Sequence, residues 1–166
     1  FDLDSRKGKA NGAYCKPFFE SNLPFIFMNA TGLPGDVRVL LHEGGHAIHD
    51  VLAQHHGLMH ARYAPPEVSE LAAMTMELLT MEHWHVFYSD ESDLKRAKKQ
   101  QLQRCILGLR RVASYDKFQH WIYENPEHTL SERKQAWVRI DSEFVSGVEA
   151  KTGAEEDLES RWLTIP

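Results

Sequence analysis

His42, Glu43 and His46 stand in the stretch RVLLHEGGHAIHD, residues 38–50. Residues four apart on a helix share a face. Two imidazoles at this spacing can present nitrogens to one metal ion if the stretch is helical. Glu43 is turned about 100° round the helix from His42. From there it can reach a water on that ion without being a ligand itself. Two ligands and a general base in this order are the mechanics of the HExxH pattern, which serves zinc-dependent hydrolysis.

The pattern also arises by chance, so its surroundings carry weight. Gly44 and Gly45 lie inside the same helix. Each costs about 1 kcal/mol relative to alanine there. A helix that carries both is expected to need close approach by another backbone or a ligand. His49 falls on the side of His42 and His46 but a full turn beyond His46, too far along the axis for a tetrahedral site. Its expected role is behind the ligands, or structural. A catalytic zinc site also needs a third protein ligand and an open position. The metzincin pattern would want glycine and histidine where this chain has His49 and Leu52, which excludes that class. The stretch PPEVSELAAMTMELL, residues 65–79, offers Glu67, Glu70 and Glu77 instead. Glu67 falls in a first helical turn, where the helix dipole alone favours an acid. Glu70 and Glu77 are seven apart, on one face with Met74 and flanked by Leu71, Leu78 and Met81. Both are expected to be partly buried, and buried acids require partners. Zinc would satisfy Glu70. The other nitrogen of a ligand histidine would satisfy Glu77.

The elements that must hold these side chains are mostly helices. A helix is expected from Asp36, as N-cap, to about His56. A second follows Pro65 and Pro66 and runs to about Tyr88. After a capping loop at 89–92, a long helix covers roughly 93–124, with irregularity expected near Gly108. NPEHT breaks it, and another helix runs from about Ser131 to Val145. A short acidic helix, AEEDLESRWL, comes last. Residues 1–35 read differently. DSRKGKANGAYC is a turn between two extended pieces, and Phe25 to Met28 is a strand. The expected fold is mainly α, a multi-helix zincin-like catalytic domain over 1–166. Its β hairpin or edge strand lies in 1–35 and its helices in 36–166.

Composition narrows the partners. The 166 residues are 42% hydrophobic and 26% charged, with a formal net charge of -5. That is ordinary for a globular domain, and without a basic patch nucleic acid is not an expected partner. No apolar run approaches the roughly 20 residues needed to span a bilayer, and no secretory signal is visible. Cys15 and Cys105 lie far apart without metal spacing and read as reduced thiols of a cytoplasmic protein. The chain starts without Met and stops at RWLTIP, so a segment of a longer polypeptide is expected, with remaining parts as its partner.

These stretches together resemble the thimet oligopeptidase and oligoendopeptidase F group of zinc metallopeptidases, the oligoendopeptidase F branch more closely. FDLDSRKGKANGAYC is similar to the group's D-x-x-x-R-x-G-K-x-x-G-A hairpin. PFIFMNATGLPGDVRVLLHEGGHAIH is similar to its strand, loop and active-site helix. SELAAMTMELL matches the segment with its third ligand, and LESRWLTIP the approach to its substrate loop. The resemblance implies His42, His46 and Glu70 as ligands of one zinc per chain, Glu43 as base, and short unstructured peptides as substrates. It also implies that backbone around Phe27 to Ala30 pairs with substrate as an added strand, with Asn29 and Gly32 as substrate-binding residues. A histidine and tyrosines that help stabilise the oxyanion in that group belong to a loop after W-x-x-I-P, where this chain ends.

The remaining candidates read as structural. His55 and His56 suit a helix C-terminus, and His60 a loop. His83 and His85, two apart, face different ways. Tyr14 and Tyr63 read as packing residues, as do Trp84, Trp121, Trp137 and Trp162. Asp116, His120 and Glu124 read as a salt-bridged stripe. Two alternatives stand beside the peptidase. A catalytically inactive zinc-binding scaffold would hold metal without turnover. A plain helical interaction domain would hold no metal and would tolerate alanine at both Gly44 and Gly45.

Overall fold

The computed structural model describes residues 1–144 and 161–164. Three strands come first: β1 (Asp2–Asp4), β2 (Tyr14–Phe18) and β3 (Leu23–Ala30). Four helices follow: α1 (Pro34–Ala53), α2 (Pro66–Leu79), α3 (Glu91–Glu124) and α4 (Leu130–Phe144). Short 3-10 segments lie at Met59–Arg62, Thr80–Val86 and Arg161–Thr164. The chain is mainly α with a small N-terminal sheet, as its pattern predicts. The chain divides into two compact units, residues 1–99 and 100–166.

In the first unit the sheet order is β1-β3-β2, with β1 parallel and β2 antiparallel to β3. The two extended pieces either side of the 5–13 turn therefore do not form the expected hairpin. The hairpin is β2–β3, and β3 separates β1 from β2. Lys9 accounts for the difference. Its ammonium, only 2% exposed, donates to the carbonyls of Asp2 (3.0 Å), Asp4 (2.9 Å) and Met28 (2.5 Å) and to the Asp2 carboxylate (3.1 Å). It also stands 4.4 Å from the Phe27 ring centroid. A buried ammonium needs such acceptors, and these come from β1 and β3 alike. Arg6 adds two bonds to Asp2, at 2.7 and 2.9 Å. These bonds from Arg6 and Lys9 hold the Asp2 carboxyl well below the usual carboxylate range.

Strand β3 alternates as a half-buried strand should. Ile26 and Met28 are buried, and β3 packs on α1. Phe27 instead stacks on Tyr14, its partner in register, with centroids 4.8 Å apart. Asn22, with φ of 54°, makes the β2–β3 turn. The Gln54 amide at the end of α1 donates to its carbonyl.

Helix α1 begins earlier than expected. Leu33 is the N-cap and Pro34 opens the first turn, where proline's missing N–H costs nothing. Asp36 is therefore the third helical residue and caps backwards. Its Oδ2 accepts the N–H groups of Thr31 (2.7 Å) and Leu33 (2.9 Å). Helix α2 has Pro66 in its first turn with Glu67 beside it. It stops at Leu79, and the chain tightens into 3-10 geometry from Thr80 to Val86. There Trp84, 2% exposed, donates its indole N–H to the Thr80 hydroxyl at 3.3 Å.

Helix α3 runs unbroken through Gly108 from the first unit into the second. Asp90 caps it, accepting the N–H groups of Ser92 and Asp93. In the second unit Phe118, Ala136, Trp137 and Ile140 form the core, with Tyr115, Trp121 and Trp162 packed around it. The cap of α4 is Thr129 rather than Ser131. Its hydroxyl accepts the Glu132 N–H, and the Glu132 carboxylate accepts the Thr129 N–H, a reciprocal capping box. Most of the expected acidic helix near the C-terminus lies outside the described residues. Among the described residues no helix is long and apolar enough to cross a membrane.

Candidate metal centre

The site is built where α1 crosses α2. The helices approach closely because Gly45 faces the α2 backbone. A β-carbon at position 45 would lie 2.7 Å from the Ala73 Cα and 3.2 Å from its carbonyl oxygen. Backbone cannot swing away as a side chain can, so only glycine fits this approach. Gly44 differs, because a β-carbon there meets nothing within 4 Å. The expected need for glycine at both positions holds at Gly45 alone.

This approach carries Glu70 of α2 over the two histidines of α1. Glu70 Oε2 is 3.2 Å from His42 Nε2, and Glu70 Oε1 is 3.5 Å from His46 Nε2. Among the described residues, His42, His46 and Glu70 form the group that could hold a metal ion, with ligand atoms all within 4.8 Å of one another. Bonds of about 2.0–2.1 Å to a tetrahedral zinc put neighbouring ligand atoms about 3.3–3.4 Å apart. The two contacts to Glu70 run to its two different oxygens, each near that value, and two imidazoles with one carboxylate are donor types that zinc takes.

Each imidazole is held from behind by its other nitrogen. His42 Nδ1 lies 2.7 Å from Glu77 Oε1, and Arg38 Nη1 is 3.7 Å from the same oxygen. His46 Nδ1 lies 3.1 Å from the Ser69 hydroxyl. The Glu77 hydrogen bond raises the proton affinity of His42, against the opposing effect of burial. Glu77 is buried as expected, though the cause differs. Of Leu71, Leu78 and Met81, which were expected to flank it, Leu71 and Leu78 are themselves exposed. The acid is instead enclosed beside His42 and Arg38 of α1. Glu70 was also expected to be partly buried, yet its side chain is 57% exposed. The centre therefore opens to solvent on the Glu70 side.

Glu43 is 6% exposed and accepts a hydrogen bond from the Cys15 backbone N–H of β2. Burial raises its pKa, opposed by the positive potential of His42 and His46. A carboxylate so placed can take up a proton more readily than one in water. Edge strand β2 thus lies beside the acid that the HExxH pattern singles out.

Other expected site residues lie elsewhere. His49 makes no hydrogen bond to the His42, His46 and Glu70 group. Its charged neighbour is Asp50. This follows from the extra helical turn that separates it from His46. The Asn29 amide donates to the carbonyls of Ala10 (2.8 Å) and Gly12 (2.9 Å), so its donors are occupied in pinning the 5–13 turn. Gly32 has φ of 80°, and its place is the turn before α1. Backbone from Phe27 to Ala30 belongs to β3, which lies between β1 and β2 in the sheet. Phe27 is paired with both Asp2 and Tyr14, and Ala30 with Asp4.

The other histidines behave as structural groups. His55 Nδ1 bonds the Leu52 carbonyl at the end of α1, and the His56 ring lies tilted against it, with centroids 3.9 Å apart. His120 pairs with Asp116. Three contacts were not foreseen: Ser69 on His46, Arg38 beside Glu77, and the Cys15 N–H on Glu43. The first had a signal, since His46 also needs a partner for its second nitrogen and Ser69 directly precedes Glu70.

The sequence model of Peptidase family M3 matches residues 1–160. A search among curated proteins gives no match. Solved structures with the same fold include PZ peptidase A with inhibitor 2, at TM-score 0.81 and 34% identity, covering 97% of this chain and 28% of that one. A structure from Bacillus anthracis str. Ames, assigned as an oligoendopeptidase F, has TM-score 0.77 and 36% identity, covering 86% of this chain and 26% of its own. Another structure assigned as an oligoendopeptidase F has TM-score 0.77 and 32% identity, covering 97% and 28%. The chain thus spans just over a quarter of the length of these structures. A family match over nearly all its residues, and the same fold at these identities, mean that the chain belongs to peptidase family M3.

Proposed function

We propose that these residues form the catalytic segment of a zinc-dependent endopeptidase that hydrolyses short unstructured peptides. The observation that carries this reading is the convergence of His42, His46 and Glu70 within 4.8 Å, with buried Glu43 one residue from the first ligand. His42, His46 and Glu70 would hold one zinc ion per chain. When bound, that ion polarises the scissile carbonyl and acidifies water. Glu43 acts as general base, taking a proton from the attacking water and then passing it to the leaving amine. The Cys15 N–H of β2 lies beside this carboxylate and favours its charged form. Glu77 holds His42 with Nε2 toward the ion. Strand addition of the peptide belongs to β2, the edge strand that touches Glu43, rather than to β3.

The test is Glu43→Gln in the intact protein. Glutamine keeps the shape and cannot carry the proton. Peptide hydrolysis should fall by roughly 100- to 10,000-fold, with about one zinc per chain retained by elemental analysis. Hydrolysis at the parent rate would overturn the proposal. Metal without turnover in the parent itself would favour an inactive zinc-binding scaffold.

A further inference from the structure

The two ligand histidines are backed unequally. His42 leans on a buried carboxylate that has Arg38 beside it. His46 leans on a neutral hydroxyl, Ser69 Oγ, 3.1 Å from Nδ1. Resting on the zinc-peptidase reading above, we infer that Ser69 is a positioning residue that holds the His46 ring with Nε2 toward the metal.

The argument follows from proton inventory. A neutral imidazole carries one N–H and one lone pair, and only the lone pair can meet a metal. The nitrogen of His46 that faces Glu70 is Nε2, at 3.5 Å. Its lone pair is available there only when the proton sits on Nδ1. With the proton on Nδ1, Ser69 Oγ is placed to accept it, so the contact suits the required tautomer and fixes the ring's rotation. The Ser69 backbone is held in turn by the first turns of α2, where its N–H bonds the Pro65 carbonyl at 3.0 Å. Ser69 directly precedes Glu70, so one stretch of α2 supplies both a ligand and the support for a second ligand on α1. A change in how α2 starts would move both together.

Loss of such a supporting hydrogen bond typically weakens metal affinity about 10- to 100-fold. Zinc affinity should be measured by competition with a chromophoric chelator on the intact parent, Ser69→Ala and Ser69→Thr. The visible spectrum of the cobalt-substituted proteins should be recorded beside it, and the metal-free melting temperature as a control. The expected result is zinc binding about 10- to 100-fold weaker in Ser69→Ala, with an altered cobalt spectrum and an unchanged metal-free melting temperature. Ser69→Thr, which keeps the hydroxyl, should bind like the parent. Affinity and spectrum of Ser69→Ala equal to those of the parent would overturn the inference and leave the zinc reading standing. A threonine variant as weak as the alanine one, or a metal-free protein already destabilised by alanine, would make Ser69 merely structural and overturn it too. A parent that binds no zinc would remove the zinc reading, and this inference with it.

Discussion

The thiol of Cys15 lies among carboxylates. Its Sγ is 3.9 Å from Asp50 Oδ2, and the backbone N–H of the same residue holds Glu43. Burial, then the negative charges of Asp50 and Glu43, push its pKa up to about 12. A raised thiol pKa means a protonated, unreactive sulfur at every pH below that value. At pH 8 roughly one thiol in ten thousand is then thiolate, the nucleophilic form. Iodoacetamide at pH 8 should therefore leave Cys15 unlabelled in the folded protein and label it after denaturation, read by peptide mass spectrometry. Rapid labelling of folded protein would show that the thiol is not enclosed in this way. At this scale the sequence is most legible where one helix sets the spacing. His42, Glu43 and His46 follow from the helical repeat alone, and Glu70 with Glu77 from a seven-residue interval. Ser69, Arg38 and the Cys15 N–H were less legible because each meets its partner across an interface between elements. Asn29 adds a contact of the same kind. Its side chain is spent on a nearby turn that no local pattern announces.

The two neighbouring glycines of α1 separate local propensity from packing. Gly44→Ala adds a methyl group where nothing lies within 4 Å and removes the helix cost of glycine, about 1 kcal/mol. Gly45→Ala gains the same propensity but drives its methyl into the Ala73 backbone at 2.7 Å. Overpacking of a fitted contact costs about 1–3 kcal/mol, and relief here requires α1 and α2 to move apart. Thermal unfolding should therefore show Gly44→Ala at or above the parent and Gly45→Ala below it. Zinc affinity should fall in Gly45→Ala, because the ligands are divided between the two helices. An equal melting temperature for both variants would mean that the helices do not approach at Gly45. Helix existence and order were readable from apolar periodicity and from prolines 65 and 66. Helix ends were less so, because caps are reciprocal. Asp36 satisfies N–H groups that precede the helix, so it marks the third helical residue and not the cap. Sheet order was not readable at all. The three strands are short, and the choice of β3 as the centre rests on Lys9 gathering carbonyls from β1 and β3, a contact between residues 9 and 28.

For the whole molecule, holding a metal and turning over a peptide are separable. Both histidines, Glu70, Glu77 and Glu43 lie within residues 42–77, in the first compact unit. The residues proposed to hold the metal are thus contained in a short stretch of chain. Stabilising the oxyanion is a separate task. The resemblance to oligoendopeptidase F implies a histidine and tyrosines after a W-x-x-I-P stretch for it. The chain covers 28% and 26% of two of the solved structures. Donors aimed at developing negative charge contribute about 100- to 1000-fold each to kcat, and they act late, on the transition state rather than on metal or ground-state peptide. These 166 residues alone should therefore take up about one zinc but cleave an unstructured fluorogenic peptide at least ~100-fold more slowly than a polypeptide that includes the following loop. The comparison is kcat for the two proteins at equal zinc occupancy. Equal values would mean that the oxyanion donors lie within residues 1–166, and β2 beside Glu43 would be the place to seek them.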